Sequence, residues 1–298
     1  MQLPIIQPRP ADSTPPIFPT IGIVGLGLIG GSIALAAREL WPSSLVVGVD
    51  RTEVVEAAMR RHAVDVGASD LGVLAGADLV ILAAPVAQNV ALLAQLPAHL
   101  ERPAIVTDTG STKRSLHEAA AGLPERLTFV GGHPLGGAAV GGLDHARPDL
   151  FRNRPWILTT ESTTPETAVE RLTAFVSALG STPSVMTAEK HDRVLAFLSH
   201  LPQLTVSALM GVVGEAVGAD GLSLAGRGLI DTTRLASSPS GIWRDIAASN
   251  ADEIGPALDA LIAVLQALRA DLPSGERLDE VFGRAAAWRE QLTTRTTL

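Results

Sequence analysis

The sequence predicts an α/β chain, with a doubly wound, mostly parallel sheet first and an all-helical part after it. Three observations predict this. Short β-forming runs alternate with helical patterns as far as Met186. A glycine-rich turn joins the first such run directly to a helix. From about Thr187 onward no strand pattern recurs, and only helical periodicity remains.

The first run is Ile21 to Val24. Gly25-Leu26-Gly27-Leu28-Ile29-Gly30 follows it, a G-x-G-x-x-G, and then a helical pattern over Ile33 to Leu40. Strand, glycine turn and helix in that order are the setting a dinucleotide fingerprint requires. Gly25 permits the tight turn, Gly27 lets backbone approach a pyrophosphate, and Gly30 lets helix and strand pack closely. The free N–H groups of the helix start, at Leu28 and Ile29, face the phosphates. A second strand, Leu45 to Val49, ends in Asp50 at the spacing of a ribose-binding acid. A Rossmann-type domain that binds a dinucleotide is therefore expected. Asp50 accepts from both ribose hydroxyls and repels a 2′-phosphate, which favours NAD, although the adjacent Arg51 suits that phosphate.

A helix is expected over Thr52 to His62, then a buried parallel strand over Leu79 to Ala84. Its carboxyl end, Ala84-Pro85, falls where ligands of open α/β sheets bind. A helix (Gln88 to Leu96) and a strand (Ala104 to Asp108) lead into the loop Thr109-Gly110-Ser111-Thr112-Lys113 and the helix Arg114 to Ala121. The glycine spacing there is wrong for a P-loop. Ser111 reads either as a cofactor or substrate contact or as part of an ordinary helix start. The strand Leu127 to Val130 runs into Gly131-Gly132-His133-Pro134. A histidine straight after a strand, between glycines, is either a catalytic group or a turn residue with a satisfied ring. A strand at Trp156 to Thr159, a helix at Glu166 to Leu179 and a strand near Ser184 to Met186 complete the layer.

In the helical part, Ala188 to Val217 reads as one long helix with Pro202 as a kink. Ile254, Leu258, Leu261, Ile262, Leu265 and Leu268 form an apolar stripe, and Pro273 to Arg289 a last helix. Such stripes bury against one another or a second subunit, so a homodimer is expected. The resulting division is a leader over 1–19, disordered because of its prolines, a nucleotide domain over 20–187 and a helical domain over 188–298. His200, Arg234 and Trp243 stand out, but periodicity assigns none of them a role.

Composition narrows the chemistry. With no Cys among 298 residues, disulfides, thiol nucleophiles and Cys-held zinc are excluded. No Tyr is present to act as an acid, and Lys113 and Lys190 are the only lysines. A net charge of -8 argues against a nucleic-acid partner. No uninterrupted apolar run reaches membrane-spanning length, and the proline-rich start has no signal-peptide core, so a cytoplasmic location and no membrane partner are expected.

Taken together, GLGLIGGS (Gly25 to Ser32), Asp50, DTGSTK (Asp108 to Lys113), GGHP (Gly131 to Pro134), SHLPQ (Ser199 to Gln203) and DTTRLA…IWRDI…N (Asp231 to Asn250) resemble the prephenate/arogenate dehydrogenase family of tyrosine biosynthesis. The resemblance implies oxidative decarboxylation with NAD as hydride acceptor. By similarity, His133 accepts the proton of the ring 4-hydroxyl and Ser111 orients that hydroxyl. Arg234 binds a substrate carboxylate, and His200 and Trp243 line the substrate pocket. Prephenate is the expected substrate and arogenate the alternative. Family members often carry polar residues after the HP motif, whereas Leu135 to Ala139 is bare of them. A β-hydroxyacid dehydrogenase would need a catalytic lysine. Lys190, in Ala188-Glu189-Lys190-His191-Asp192, lacks that class's surroundings. A non-catalytic dinucleotide sensor is the remaining alternative.

Overall fold

The computed structural model describes residues 15–136 and 141–296. It divides into two compact units, residues 1–250 and 251–298. In the first, six parallel strands form the main sheet in the order β3-β2-β1-β4-β5-β6. They are β1 (Thr20–Val24), β2 (Leu45–Val49), β3 (Val66–Ala68), β4 (Leu79–Leu82), β5 (Ala104–Asp108) and β6 (Leu127–Phe129). This is the doubly wound dinucleotide-fold order, whose direction reverses between β1 and β4. All six strands being parallel, their carboxyl ends share one edge of the sheet. The short edge strand β3 carries too little pattern to be expected from sequence.

Side-chain parity explains the two-sided core. Ile21, Ile23, Leu79 and Ile81 point into one buried cluster with α1 (Leu28–Leu40) and α5 (Glu166–Ala178). Val24, Val80, Leu82 and Val106 point into the other, with α3 (Val86–Gln95) and α4 (Arg114–Ala120). Both faces of the strands are apolar because both are covered. Helix α2 (Thr52–Arg60) flanks the β2–β3 edge.

Three features differ from expectation. First, the later strands do not extend the main sheet. β7 (Gly131–Pro134), β8 (Pro155–Thr159) and β9 (Thr182–Met186) form a separate three-stranded sheet, with β7 antiparallel to β8. His133 therefore lies within a strand rather than in the turn after one, because the chain continues extended beyond Val130. Second, residues 1–14 of the expected leader lie outside the described residues, but Phe18 is buried edge-on against Phe175. The aromatic residue anchors the segment despite its prolines. Third, Ala188–Leu222 is interrupted ahead of Pro202. α6 (Ala188–Leu195) passes through a π turn at Ala196–His200 before α7 (Leu201–Leu222). There Leu201 N–H reaches back to the carbonyl of Ala196. A proline donates no backbone hydrogen bond, and the wider turn accommodates that loss.

Short helices α8 (Arg227–Thr232) and α9 (Ser240–Ser249) follow, separated by a 3-10 turn at Arg234–Ser237. The second unit contains α10 (Ala251–Asp271) and α11 (Glu276–Thr296).

Candidate active site

The glycine loop has the shape of a phosphate cradle. Gly25 has φ 93°, and a Cβ there would meet the Ala83 carbonyl carbon at 2.8 Å. A Cβ on Gly27 would meet nothing within 4 Å, so the loop is open above that residue. Helix α1 starts at Leu28 with no side-chain cap on its first turn. Its first N–H groups lack intrahelical partners and present positive partial charge at the switch point. At the tip of β2, Asp50 Oδ2 accepts from Leu26 N–H at 2.7 Å, and Oδ1 accepts from Arg51 N–H at 2.7 Å. The carboxylate is thereby fixed beside the loop. The Arg51 side chain is 83% exposed. Beyond β4, Ala84 N–H donates to Asn89 Oδ1 at 3.2 Å while Asn89 Nδ2 holds the Leu82 carbonyl, and Pro85 is exposed at the start of α3. Open loop, uncapped helix and pinned acid fit a dinucleotide.

Next to this, β7 crosses the carboxyl end of β5. Gly132 N–H donates to Asp108 Oδ1 at 3.0 Å, and a Cβ on Gly132 would lie 2.5 Å from the Asp108 carbonyl oxygen. Only glycine permits that approach. Lys113, wholly buried, pairs with Asp108 and donates to the Gly132 carbonyl at 2.7 Å. Burial pushes its ammonium below the usual lysine value, against the pull of Asp108. The DTGSTK loop and the GGHP strand are thus joined through one buried cation.

His133, the next residue, is 8% exposed. Its Nδ1 lies 2.9 Å from Nε2 of His191 on α6, and His191 Nδ1 lies 2.7 Å from Asp192 Oδ1. Asp192 is wholly buried and accepts three further hydrogen bonds, from Lys113 N–H, Arg114 N–H and Arg114 Nε. Burial pushes its carboxyl up, but the bonds from His191 and the backbone outweigh this and hold it below the ordinary value. Burial is the chief reason His133 is pushed well below the usual histidine value, with His191, Lys113 and His200 acting in the same direction. It is neutral at neutral pH.

A second histidine closes the site from the π turn. His200 is 1% exposed, with Nδ1 3.3 Å from Asn250 Nδ2 and no partner at Nε2 among the described residues. Its ring stands edge-on to Trp243 at 6.1 Å between centroids. Asn250 Nδ2 also donates to the Asp192 carbonyl at 2.9 Å, and Arg114 Nη2 donates to Asn250 Oδ1 at 2.8 Å. Thr112 and Ser249 hydroxyls meet at 2.8 Å. The loop carrying Ser111, itself half-buried, is therefore fastened to the helical segment at three points. Arg234 is exposed in the 3-10 turn.

The sequence assigns no role to His191 or Asp192, nor to Gln203 and Asn250, although the last two fall within the motifs. The signal was available: Ala188, His191, Asp192, Leu195 and Ala196 share one helix face, and a polar pair on a buried stripe needs a reason. Lys190, singled out for the β-hydroxyacid reading, is exposed, with its backbone N–H on the Thr187 cap.

Residues 33–184 match the nucleotide-binding domain of prephenate dehydrogenase, and residues 187–283 match the dimerization domain of the same enzyme. The chain belongs to the prephenate dehydrogenase family. Within that family, prephenate dehydrogenase of Bacillus subtilis is 35% identical over 93% of this chain and 76% of its own length. Prephenate dehydrogenase of Aquifex aeolicus, solved with hydroxyphenyl propionate and NAD+, superposes with a TM-score of 0.84 at 27% identity, covering 92% of this chain and 98% of that one. Arogenate dehydrogenase of Synechocystis gives a TM-score of 0.79 at 30% identity, covering 92% and 99%. Likenesses to 3-hydroxyisobutyrate dehydrogenases, at 16% identity, reach only the shared fold.

Proposed function

We propose that this chain catalyses the NAD-dependent oxidative decarboxylation of prephenate to 4-hydroxyphenylpyruvate, in the cytoplasm and as a homodimer. The observation that carries the reading is the buried, neutral imidazole of His133 at the sheet edge that also holds the glycine loop and Asp50. Bound NAD+ supplies the hydride acceptor for the ring carbon bearing the 4-hydroxyl.

Gly25, Gly27, Gly30 and the N–H groups of Leu28 and Ile29 hold the pyrophosphate, and Asp50 holds the ribose hydroxyls with Arg51 beside it. Ala84, Pro85 and Ser111 line the way toward the nicotinamide. His133 takes the hydroxyl proton as a general base, a role worth about 10²–10⁴-fold in rate. Ser111 orients the hydroxyl, and Arg234 binds a substrate carboxylate through its planar fork. His200 and Trp243 wall the pocket. Decarboxylation needs no strong catalyst, since it makes the ring aromatic. Residues 20–187 serve the cofactor and residues 188–298 the substrate and the dimer.

Two observations support the dimer. One is the match to a dimerization domain. The other is the exposure of Val212 and Val217 on α7, Ile262 and Leu265 on α10, and Phe282 and Trp288 on α11. Ala188–Leu222 is long and apolar enough to cross a membrane by length and composition, and little of it is buried. A second copy accounts for that exposed apolar face, and His200 and Gln203 within the same stretch serve the site.

Arogenate is the second reading, favoured by the likeness to the Synechocystis enzyme. Leu135 and Gly136 after the HP motif carry no charge to select a side chain, and Gly137 to Ala139 lie outside the described residues. NADH formation with each substrate, for wild type and His133→Asn, tests the reading. Turnover of prephenate that falls by about 10²-fold or more in the variant, with NAD+ binding retained, is expected. Unchanged turnover in the variant overturns it.

A further inference from the structure

A buried base must dispose of the charge it acquires, and His133 has no carboxylate of its own. Its Nδ1 faces a second imidazole, and that imidazole faces Asp192. The three groups fix one another's protons. Asp192 accepts at both oxygens and is ionised, so the proton between it and His191 sits on His191 Nδ1. Neutral His191 then has a bare Nε2, which can only accept. His133 Nδ1 must donate to it, and the lone pair of His133 is left at Nε2. The chain of contacts selects the tautomer a base requires.

The stoichiometry adds a second constraint. Prephenate loses one hydride and one carbon dioxide in becoming 4-hydroxyphenylpyruvate, and no net proton leaves. The hydroxyl proton is borrowed while the ring carbon is oxidised and is needed again at the phenolate oxygen that aromatisation creates. A base that parks a proton without releasing it to solvent suits this sequence. His191 and Asp192 are both wholly buried.

We propose that His191 and Asp192 form with His133 a closed proton relay, which holds the 4-hydroxyl proton's charge during ring oxidation and returns it to the product oxygen. The inference rests on the reading of His133 as the base. In the forward step the substrate O–H bond breaks, and its electron pair closes the C=O bond as the same carbon gives up hydride to NAD+. An N–H bond forms at His133 Nε2. The Nδ1–H bond of His133 breaks as one forms at His191 Nε2. The positive charge moves to a ring whose centroid is 5.1 Å away and which touches a carboxylate. The reverse shifts deliver the proton to the phenolate.

Capping of α4 accounts for two of the bonds Asp192 accepts, from Lys113 and Arg114 N–H, but not for a buried imidazole placed between it and His133. Without the relay His133 would be a poor base, since burial above all, and Lys113 beside it, depress its affinity for protons. The charged and titratable groups facing the pair are Lys113 and Asp108 from β5 and its loop, Arg114 from α4, Asp192 from α6 and His200 from the π turn.

The test uses the full-length enzyme with His191→Leu and His191→Gln, each first checked for NAD+ binding. For each, kcat, KM for prephenate and the pH profile of kcat are measured. His191→Leu is expected to lower kcat by roughly 10²-fold with KM within about threefold, and to move the acid limb of the profile to lower pH. His191→Gln can still accept from His133 Nδ1 but cannot take its proton. It is expected to recover part of kcat and keep the shifted limb, and it decides the matter should the leucine variant not fold. Full recovery in the glutamine variant, an acid limb displaced to higher pH, or a kcat near wild type in His191→Leu overturns the relay. Those results together with an inactive His133→Asn leave His133 as the base; an active His133→Asn removes that reading itself.

Discussion

Gln203 donates from Nε2 to the Leu235 carbonyl at 2.8 Å, while its Oε1 accepts from Ser238 Oγ at 3.1 Å. One buried amide thus clamps both ends of the turn that carries Arg234 onto α7, a single helical turn from His200. The glutamine of SHLPQ and the arginine of DTTRLA are far apart in sequence, and this is the contact that joins them. Replacing Gln203 with Ala removes both bonds and lets the Arg234 turn drift. We expect KM for prephenate to rise by roughly three- to tenfold, with kcat affected less, since a lost hydrogen bond of about 0.5–1.5 kcal/mol acts on binding. Steady-state kinetics on Gln203→Ala checks this. A fall in kcat at unchanged KM would argue against the arginine's binding role.

Cofactor preference turns on Asp50. Its carboxylate is held by two backbone N–H groups, so it cannot swing aside for a 2′-phosphate without breaking them. Arg51 is free to reach such a phosphate, but it stands in solvent, with its Nε 4.0 Å from Asp50 Oδ1. A fixed anion outweighs a mobile cation here, because the cation gives up side-chain freedom and hydration to act. We expect kcat/KM to be at least about tenfold higher with NAD+ than with NADP+. Asp50→Asn should narrow that ratio mainly by lowering the NAD+ value. Parallel kinetics with both cofactors decide it, and a wild-type preference for NADP+ refutes the assignment.

Legibility from sequence followed the range of the interactions involved. The strands β1, β2, β4 and β5 and the glycine turn were readable, because a fully buried parallel strand needs an unbroken apolar run and the turn needs its glycines. β7 was not readable as a strand. Gly-Gly-His-Pro has no β-forming pattern, and its extended form is imposed by β8 and by Asp108. The motifs supplied His133, His200 and Trp243, which the fold gathers around one site. They did not supply His191 or Asp192 and gave Asn250 no role, because the importance of all three lies in bonds to residues 58 positions away or more. Arg234 has the reverse character. The resemblance assigns it a role, yet in the single chain its side chain is exposed.

The pH dependence of stability offers a last measurement, centred on His200. Burial is the main reason its imidazole is pushed from an ordinary 6.5 down to about 4, with His191 adding to the effect and Asp192 opposing it. The folded-state value is depressed, so the neutral form is the one the native structure holds. Above about pH 6.5 neither state binds the proton, and the residue's contribution to stability is present in full. Between 6.5 and about 4 the unfolded chain takes up a proton that the native ring refuses, so stability falls with falling pH. Below about 4 this residue causes no further loss. By pH ~5 the loss from His200 alone should be on the order of 2 kcal/mol relative to neutral pH. His133 and His191 are shifted in the same direction and steepen the total. His200→Gln removes one titrating group while leaving an amide for Asn250 to meet. Its urea-unfolding free energy should therefore drop less than the wild type's between neutral pH and pH ~5, by about that amount. Equal drops in the two proteins would mean that His200 is not held neutral in the fold.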